Sequence, residues 1–175
     1  MSAFLALLRI APLVLSTCVL RFSMDQLLFL WIFLNPRLAK HVNAVLPSYI
    51  DVFTTRKSYI LSVFYPVLIA TGLANRYYGM TVLSPSSPKE SPSSAMWWYT
   101  TGTALALLHF SFTSRLNGKT RRIISIAAAG PKEDEERAAE LQSWLYLHAF
   151  RSVFVDLPCM FCFAIAVMRC LIEAN

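Results

Sequence analysis

Residues Leu141–Leu157 read LQSWLYLHAFRSVFVDL, and the chain stays apolar from there to Ile172. An apolar segment of this length is typical of a membrane-spanning helix, which needs about 20 residues. Ionisable side chains such as Asp156 are costly at membrane depth, so each is a candidate functional residue. Pro158 predicts a kink that frees a backbone carbonyl one turn earlier. The stretch thus predicts a membrane helix that carries a polar site.

The composition of the whole chain agrees with a membrane protein. Of its 175 residues, 56% are hydrophobic and 15% are charged, whereas a soluble domain carries about 25% charged residues. The mean hydropathy is +0.50. Four segments are long and apolar enough to span a bilayer, at residues 4–34, 59–77, 95–114 and 144–172. We therefore predict an all-α integral membrane fold, in which residues 1–175 form one four-transmembrane-helix bundle with long first and fourth helices.

The loops between these segments predict the orientation of the bundle. The first loop, 35–58, and the third, 115–143, hold ten basic residues, against four on the opposite side. The positive-inside rule places both basic loops in the cytoplasm, which accounts for the net charge of +6 without a nucleic-acid partner. The Ser/Pro-rich run at 84–94 predicts a flexible loop. Pro131 and the acidic residues that follow it predict a helix start inside the third loop.

The cysteines and histidines do not form a recognised metal motif. Cys159 and Cys162 lie deep in an apolar segment without a second cysteine pair, so we interpret them as packing residues. The chain has three histidines and no H-x-x-x-H or E-x-x-H spacing. Haem or metal ligation by two histidines is therefore the less favoured alternative. We expect no metal and no bound cofactor.

Five polar residues at membrane depth are candidates for a site inside the bundle. Arg21 and Asp25 share a face of the first helix, and His148 and Arg151 share a face of the fourth. His109 lies late in the third helix. We expect these groups to face inward, with Asp25 near Arg151 or His148, because unpaired burial of a charge costs several kcal/mol. A structural role in packing or snorkelling stays open for each.

The pattern Leu141-x-x-Trp144-x-x-x-His148-x-x-Arg151 resembles a motif of the small four-helix membrane family that includes the fungal anthrone oxygenases. The first half is similar in outline, with Asn35-Pro36-Arg37-Leu38 after a long helix and then a helix containing Tyr65 and Pro66. The family often shows a Pro-x-Asn-type motif after the third helix. This chain reads FTSRLN at 112–117 instead, and Asn117 is the residue that corresponds.

The resemblance implies a cofactor-independent oxygenase of secondary-metabolite biosynthesis, which oxidises an anthrone-like aromatic polyketide to a quinone with O2. His148 is then the general base and Arg151 holds the developing oxyanion, while His109 or Asp25 orients the imidazole or the substrate. The proposed substrate-binding residues are Trp144, Arg21 and Asn117.

The expected partners are the lipid bilayer, an apolar aromatic substrate and O2. The resemblance favours the endoplasmic reticulum as the compartment, and the oligomeric state stays undetermined. Two other functions remain open: a non-catalytic scaffold or assembly subunit, and a small transporter. No inverted repeat or pair of broken helices supports a transporter.

Overall fold

The chain folds into long helices that pack side by side. The computed structural model describes residues 3–78, 94–126 and 131–173. Helix α1 covers Ala3–Trp31 and is followed by short 3₁₀ turns at Ile32–Leu34 and Pro36–Leu38, whereas α2 covers Ala39–Tyr78 and α3 covers Ala95–Ser125. The last helical body consists of α4, Pro131–Arg151, a π-helical turn at Ser152–Asp156, and α5, Leu157–Glu173. The described residues are thus helical almost throughout.

These helices form a closed four-membered arrangement. Helix α1 packs against α2, α2 against α3, α3 against α4 and α5, and the α4–α5 body returns to α1. Two apolar cores fill the interior. One lies around Leu68, Ala106 and Phe163, and the other around Leu30, Leu46 and Leu145. The predicted all-α bundle is therefore confirmed as a helical architecture.

Within the part of the chain that the structure describes, three helical bodies are long and apolar enough to cross a membrane, at Ala3–Leu34, Ala44–Tyr78 and Lys132–Ile172. Helix α3, predicted as a span at 95–114, is not among them. Its interior face carries polar residues such as Thr103 and His109, which lower its hydropathy. Its 31 residues nevertheless exceed the roughly 20 that a membrane span needs.

Two segments predicted as loops are mostly helical. Helix α2 begins at Ala39, about twenty residues before the predicted span, because Val42, Leu46 and Ile50 repeat at helical spacing and are buried. The predicted loop at 115–143 is occupied by the end of α3 and the start of α4. The flexible loop predicted at 84–94 lies outside the described residues except for Ser94, whose side chain caps α3 by accepting a hydrogen bond from the Trp97 amide at 3.3 Å.

The basic end of α3 is joined to the acidic start of α4. Helix α4 begins at Pro131, as its acidic first turn predicts. Arg122 pairs with Glu136 at 2.9 Å and with Glu140 at 3.1 Å, and Lys119 pairs with Glu140 at 3.3 Å. Part of the basic cluster predicted to set the topology therefore also joins these two helices.

Candidate functional site

Asp156 is the centre of a buried polar cluster between the two apolar cores. Its carboxylate accepts hydrogen bonds from the Ser23 hydroxyl on α1 and the Tyr65 hydroxyl on α2, each at 3.3 Å. His109 Nδ1 on α3 lies 2.9 Å from the same carboxylate, and Arg151 Nε lies 3.3 Å from it. Each helical body thus contributes a group to one carboxylate, so that the buried charges of Asp156 and Arg151 compensate each other.

Tyr65 and His109 are held together on one side of this carboxylate. The tyrosine hydroxyl lies within hydrogen-bonding distance of His109 Nδ1, and the centroids of the two rings are 4.1 Å apart. An ionised Asp156 can only accept, so the Nδ1 atom of His109 carries the proton that it donates to the carboxylate. His109 is therefore oriented by Asp156 and Tyr65.

His148 lies beside the cluster with its ring in a defined tautomer. Its Nε2 atom is 3.1 Å from the backbone carbonyl of Ser23. Because a carbonyl only accepts, Nε2 carries the proton and Nδ1 carries the lone pair. The side chain is fully buried, and Nδ1 has no hydrogen-bond partner among the described residues. A buried imidazole nitrogen with a free lone pair has the geometry of a general base.

Ser23 connects this base to the charged cluster. Its hydroxyl accepts a hydrogen bond from Arg151 Nη2 at 3.1 Å while it donates to Asp156, and its backbone carbonyl holds His148. The Arg151 guanidinium is thereby engaged by Asp156 and Ser23, and only 3% of the residue is exposed. Its position indicates that Arg151 acts by holding the site together.

Trp144 extends the site toward the second core. Its ring stacks on the His148 imidazole, with centroids 4.7 Å apart and an interplanar angle of 11°. The ammonium group of Lys57 lies over the Trp144 ring, 5.4 Å from its centroid. Lys57 is 7% exposed and Gln26 is 2% exposed. The indole nitrogen of Trp144 and the amide oxygen of Gln26 have no hydrogen-bond partner within the described residues.

An apolar groove of about 590 Å³ opens at the end of α1. Leu27, Leu28, Trp31 and Ile32 contribute to its wall. Leu27 follows Gln26 directly in the chain and also packs against the second core, which contains Trp144. The groove therefore lies on the outer surface at the end of α1, one residue along the chain from the buried Gln26.

The structure brings together some of the predicted site residues and separates others. His109, His148 and Arg151 lie in the cluster, and Trp144 lies beside it. The expectation that Arg21 and Asp25 face inward is wrong. They pair with each other at 2.9 Å, with side chains 73% and 31% exposed, respectively. Ser23 and Gln26 occupy the inner face of α1 instead. The predicted substrate-binding residue Asn117 is exposed on α3.

Several residues of the site were not predicted to belong to it. Asp156 was noted as a costly ionisable residue at membrane depth but was given no role, and the π-helical turn that ends at it sets its position. Lys57 was assigned to a loop, although it lies two turns before Tyr65 on α2. Ser23 and Gln26 are three residues apart, a helical spacing that places both on one face. A search for uncharged polar residues at that spacing can find such positions.

The cysteines are free thiols, as the interpretation of packing residues requires. Cys159, Cys162 and Cys170 are buried, and the Cys159 thiol donates to the Gly102 carbonyl at 3.2 Å. Within residues 3–78, 94–126 and 131–173, no three His, Cys, Asp or Glu side chains converge into a group able to hold a metal ion.

A bundle of long apolar helices around a buried His–Asp–Arg–Tyr cluster defines a helical protein with a polar site in its interior. The sequence profile of the anthrone oxygenase family matches residues 54–157, which contain every member of this cluster except Ser23. The chain belongs to the anthrone oxygenase family, in agreement with the resemblance seen in the sequence.

Similar proteins cover nearly the full length of the chain. An epoxidase named pydX from an Acremonium species is 31% identical over 95% of this chain and 96% of its own length. A probable epoxidase named scpX from Mollisia scopiformis is 26% identical over 98% of this chain and 100% of its own length. An epoxidase named gkaX from Penicillium citrinum is 27% identical over 96% of this chain and 97% of its own length. No solved structure shows significant similarity to the chain.

Proposed function

We propose that this protein is a membrane-embedded oxygenase of secondary metabolism, which uses O2 to oxidise an apolar, conjugated substrate. The family and the epoxidase-named relatives support an oxygenase. The observation that carries the proposal is the buried His148, whose Nδ1 lone pair has no partner among the described residues. Such a nitrogen is available to take a proton from a bound substrate.

All four helical bodies cross the membrane in this proposal. Helix α3 is the least apolar, but its polar residues Thr103 and His109 are buried inside the bundle. Polar residues in membrane helices are tolerated where they face the interior and find partners. An apolar substrate dissolved in the bilayer then enters through the groove at Leu27 and Trp31. The endoplasmic reticulum stays a prediction from the family resemblance.

The chemistry begins with a proton transfer. His148 Nδ1 removes a proton from an acidic hydroxyl or activated carbon of the substrate, and the electron pair stays on the substrate as a delocalised anion. This anion transfers electrons to O2 and forms a carbon–oxygen bond, giving a peroxide on the substrate. Arg151 is held by Asp156 and Ser23 and keeps the site in place. Unpartnered buried donors such as the Trp144 N–H stabilise the negative charge in a dry site.

Two outcomes follow from this peroxide, and both balance with O2 as the only oxidant. With a hydroquinone-type substrate, one oxygen atom enters the carbon–carbon double bond as an epoxide and the other leaves as water, while the substrate supplies two electrons and two protons. With an anthrone-type CH2 group, the O–O bond breaks as a second proton is lost, which yields a ketone and water. The names of the full-length relatives favour epoxidation, and the family description favours anthrone oxidation as the second candidate.

Oxygen-isotope labelling in membranes tests the proposal. Membranes containing the full chain are supplied with ¹⁸O2 and with a hydroquinone or an anthrone, and those carrying His148→Gln serve as the matched control. We expect one labelled oxygen atom in the product and one in water for each O2 consumed, with or without a chelator. A scaffold or a transporter leaves oxygen consumption at the level of membranes that lack the protein, and this result contradicts the proposal.

A further inference from the structure

Lys57 is a buried cation on α2. Within residues 3–78, 94–126 and 131–173, no carboxylate pairs with Lys57, and its defined contact is with the face of Trp144. The other buried cation of the cluster, Arg151, is neutralised by Asp156 at 3.3 Å. Burying an uncompensated charge is costly, so a buried lysine in a candidate site favours binding of an anion. A cation–π contact offsets only part of that cost.

The neighbours of Lys57 determine what kind of anion fits. Trp144 is stacked on His148, and its indole N–H can only donate a hydrogen bond. His148 Nδ1 can only accept one in the tautomer that Ser23 imposes. Lys57, His148 and Arg151 are close enough to interact electrostatically. The Trp144 N–H is thus a donor and His148 Nδ1 an acceptor without a partner among the described residues, and the charged donor Lys57 lies next to Trp144.

We propose that Lys57 and Trp144 form an oxyanion site for the enolate or phenolate oxygen of the substrate. The substrate hydroxyl gives its proton to His148 Nδ1, the O–H electron pair stays on oxygen, and the resulting anion is held by the Lys57 ammonium and the Trp144 N–H. Gln26, with its free amide oxygen, accepts from a second hydroxyl of the same substrate. This inference deepens the proposed function and rests on its assumption that the substrate is acidic and conjugated.

The site is testable by binding alone, without turnover. The probe is 2-hydroxyanthraquinone, whose phenolate absorbs at longer wavelength than the phenol, and the matched neutral probe is 2-methoxyanthraquinone. Both are titrated into the full-length protein in nanodiscs. We expect the hydroxy compound to bind at least about tenfold more tightly than the ether, the usual worth of a hydrogen bond to a charged group. We also expect the phenolate band at a pH at which the free compound is still neutral.

Three variants assign this binding to the named residues. Lys57→Met keeps the length of the side chain and is expected to abolish the phenolate band and the preference for the hydroxy compound, whereas Lys57→Arg retains much of both. Trp144→Phe keeps an aromatic ring and removes the N–H, and is expected to weaken the binding of the hydroxy compound but not that of the ether. Lys132→Met, at an exposed lysine of α4, is the control and is expected to bind like the parent.

The outcomes separate this inference from the proposed function. If the parent protein binds the ether as tightly as the hydroxy compound and shows no phenolate band, the oxyanion site is wrong, whatever the variants do. The same holds if Lys57→Met leaves both properties unchanged. If the protein binds the phenolate but consumes no oxygen, the oxygenase proposal is contradicted and the anion site is supported.

Discussion

Arg151 and Asp156 form a buried ion pair at 3.3 Å although they are five residues apart on one helical body. In a regular α-helix, a separation of five residues places two side chains about 140° apart around the axis. The π-helical turn at Ser152–Asp156 reduces this difference, because its hydrogen bond runs from the Leu157 N–H to the Ser152 carbonyl. The wider turn brings Asp156 round to the face of Arg151, and such turns often occur at functional sites.

Replacing Pro158 tests whether the π-helical turn maintains this ion pair. Proline has no N–H with which to continue the α-helical hydrogen bonds, so Pro158→Ala gives the segment an amide that favours the regular helix. We expect oxygen consumption to fall by about tenfold to a hundredfold, because small misplacements of site groups are that costly. Pro66→Ala, at an exposed proline inside α2, is the control. Equal activity of the two variants contradicts the role given to the turn.

Asp156→Asn is expected to destabilise the bundle strongly. The substitution leaves the buried Arg151 without a counter-charge, and breaking a buried ion pair in this way costs about 3–5 kcal/mol. Glu136→Gln is the control, since Glu136 and Arg122 are half-exposed and solvent screens their interaction. The free energy of unfolding is measured by detergent titration of the reconstituted protein. Similar unfolding curves for the two variants contradict a structural charge on Asp156.

The sequence predicted the start of α4 better than it predicted which face of each helix is inside. Pro131 and the acidic turn after it located the start of α4, and His148 and Arg151 proved to share the interior face. On α1, however, the conspicuous charges Arg21 and Asp25 point outward while Ser16 and Ser23 are buried. The lipid-facing surface of a membrane bundle is as apolar as its interior, so amphipathic patterning does not mark the inner face.

The partner of Asp156 could not be predicted from spacing, because regular helical periodicity places Asp156 and Arg151 on different faces. Lys57 was missed for another reason. The charged and polar residues around it, Arg56 and Ser58, favoured a loop, whereas the apolar repeat of Val42, Leu46 and Ile50 extends α2 through this region. Contacts between residues far apart in the sequence therefore place Asp156 and Lys57 in the site.

Gly102→Ala is expected to destabilise the first apolar core. A Cβ atom at this position lies 2.9–3.1 Å from ring atoms of Phe163, which is fully buried and cannot move aside easily. Such overpacking costs about 1–3 kcal/mol. At Gly118 a Cβ atom meets nothing within 4 Å, so Gly118→Ala is expected to stabilise α3 by about 0.5–1 kcal/mol through helix propensity. Unfolding measurements that give both variants the same sign contradict this packing.

The orientation in the membrane is predicted from the ten basic residues of the segments 35–58 and 115–143. We expect both segments on the cytoplasmic side and the Ser/Pro-rich run at 84–94 on the other. Ser87→Cys adds a labelling site to a chain whose exposed Cys18 is replaced by serine and whose other three cysteines are buried, and this protein is treated with a membrane-impermeant reagent. Labelling that requires access from the cytoplasmic side shows that the orientation is reversed.

Replacing each histidine of the site by an amide residue that keeps one of its hydrogen-bond donors is expected to have opposite effects on turnover. His148 uses Nε2 to bond the Ser23 carbonyl, and a glutamine amide can replace that donor while it removes the basic Nδ1. His148→Gln therefore keeps the fold but lowers turnover by about 10²–10⁴-fold, the usual worth of general base catalysis. His109 uses Nδ1 toward Asp156, and His109→Asn retains this donor, so most of the activity is expected to remain. Turnover is measured as oxygen consumption at matched protein abundance in the membrane. If His148→Gln retains the parental rate while His109→Asn loses it, the base is His109 and His148 serves only to pack α4 against α1.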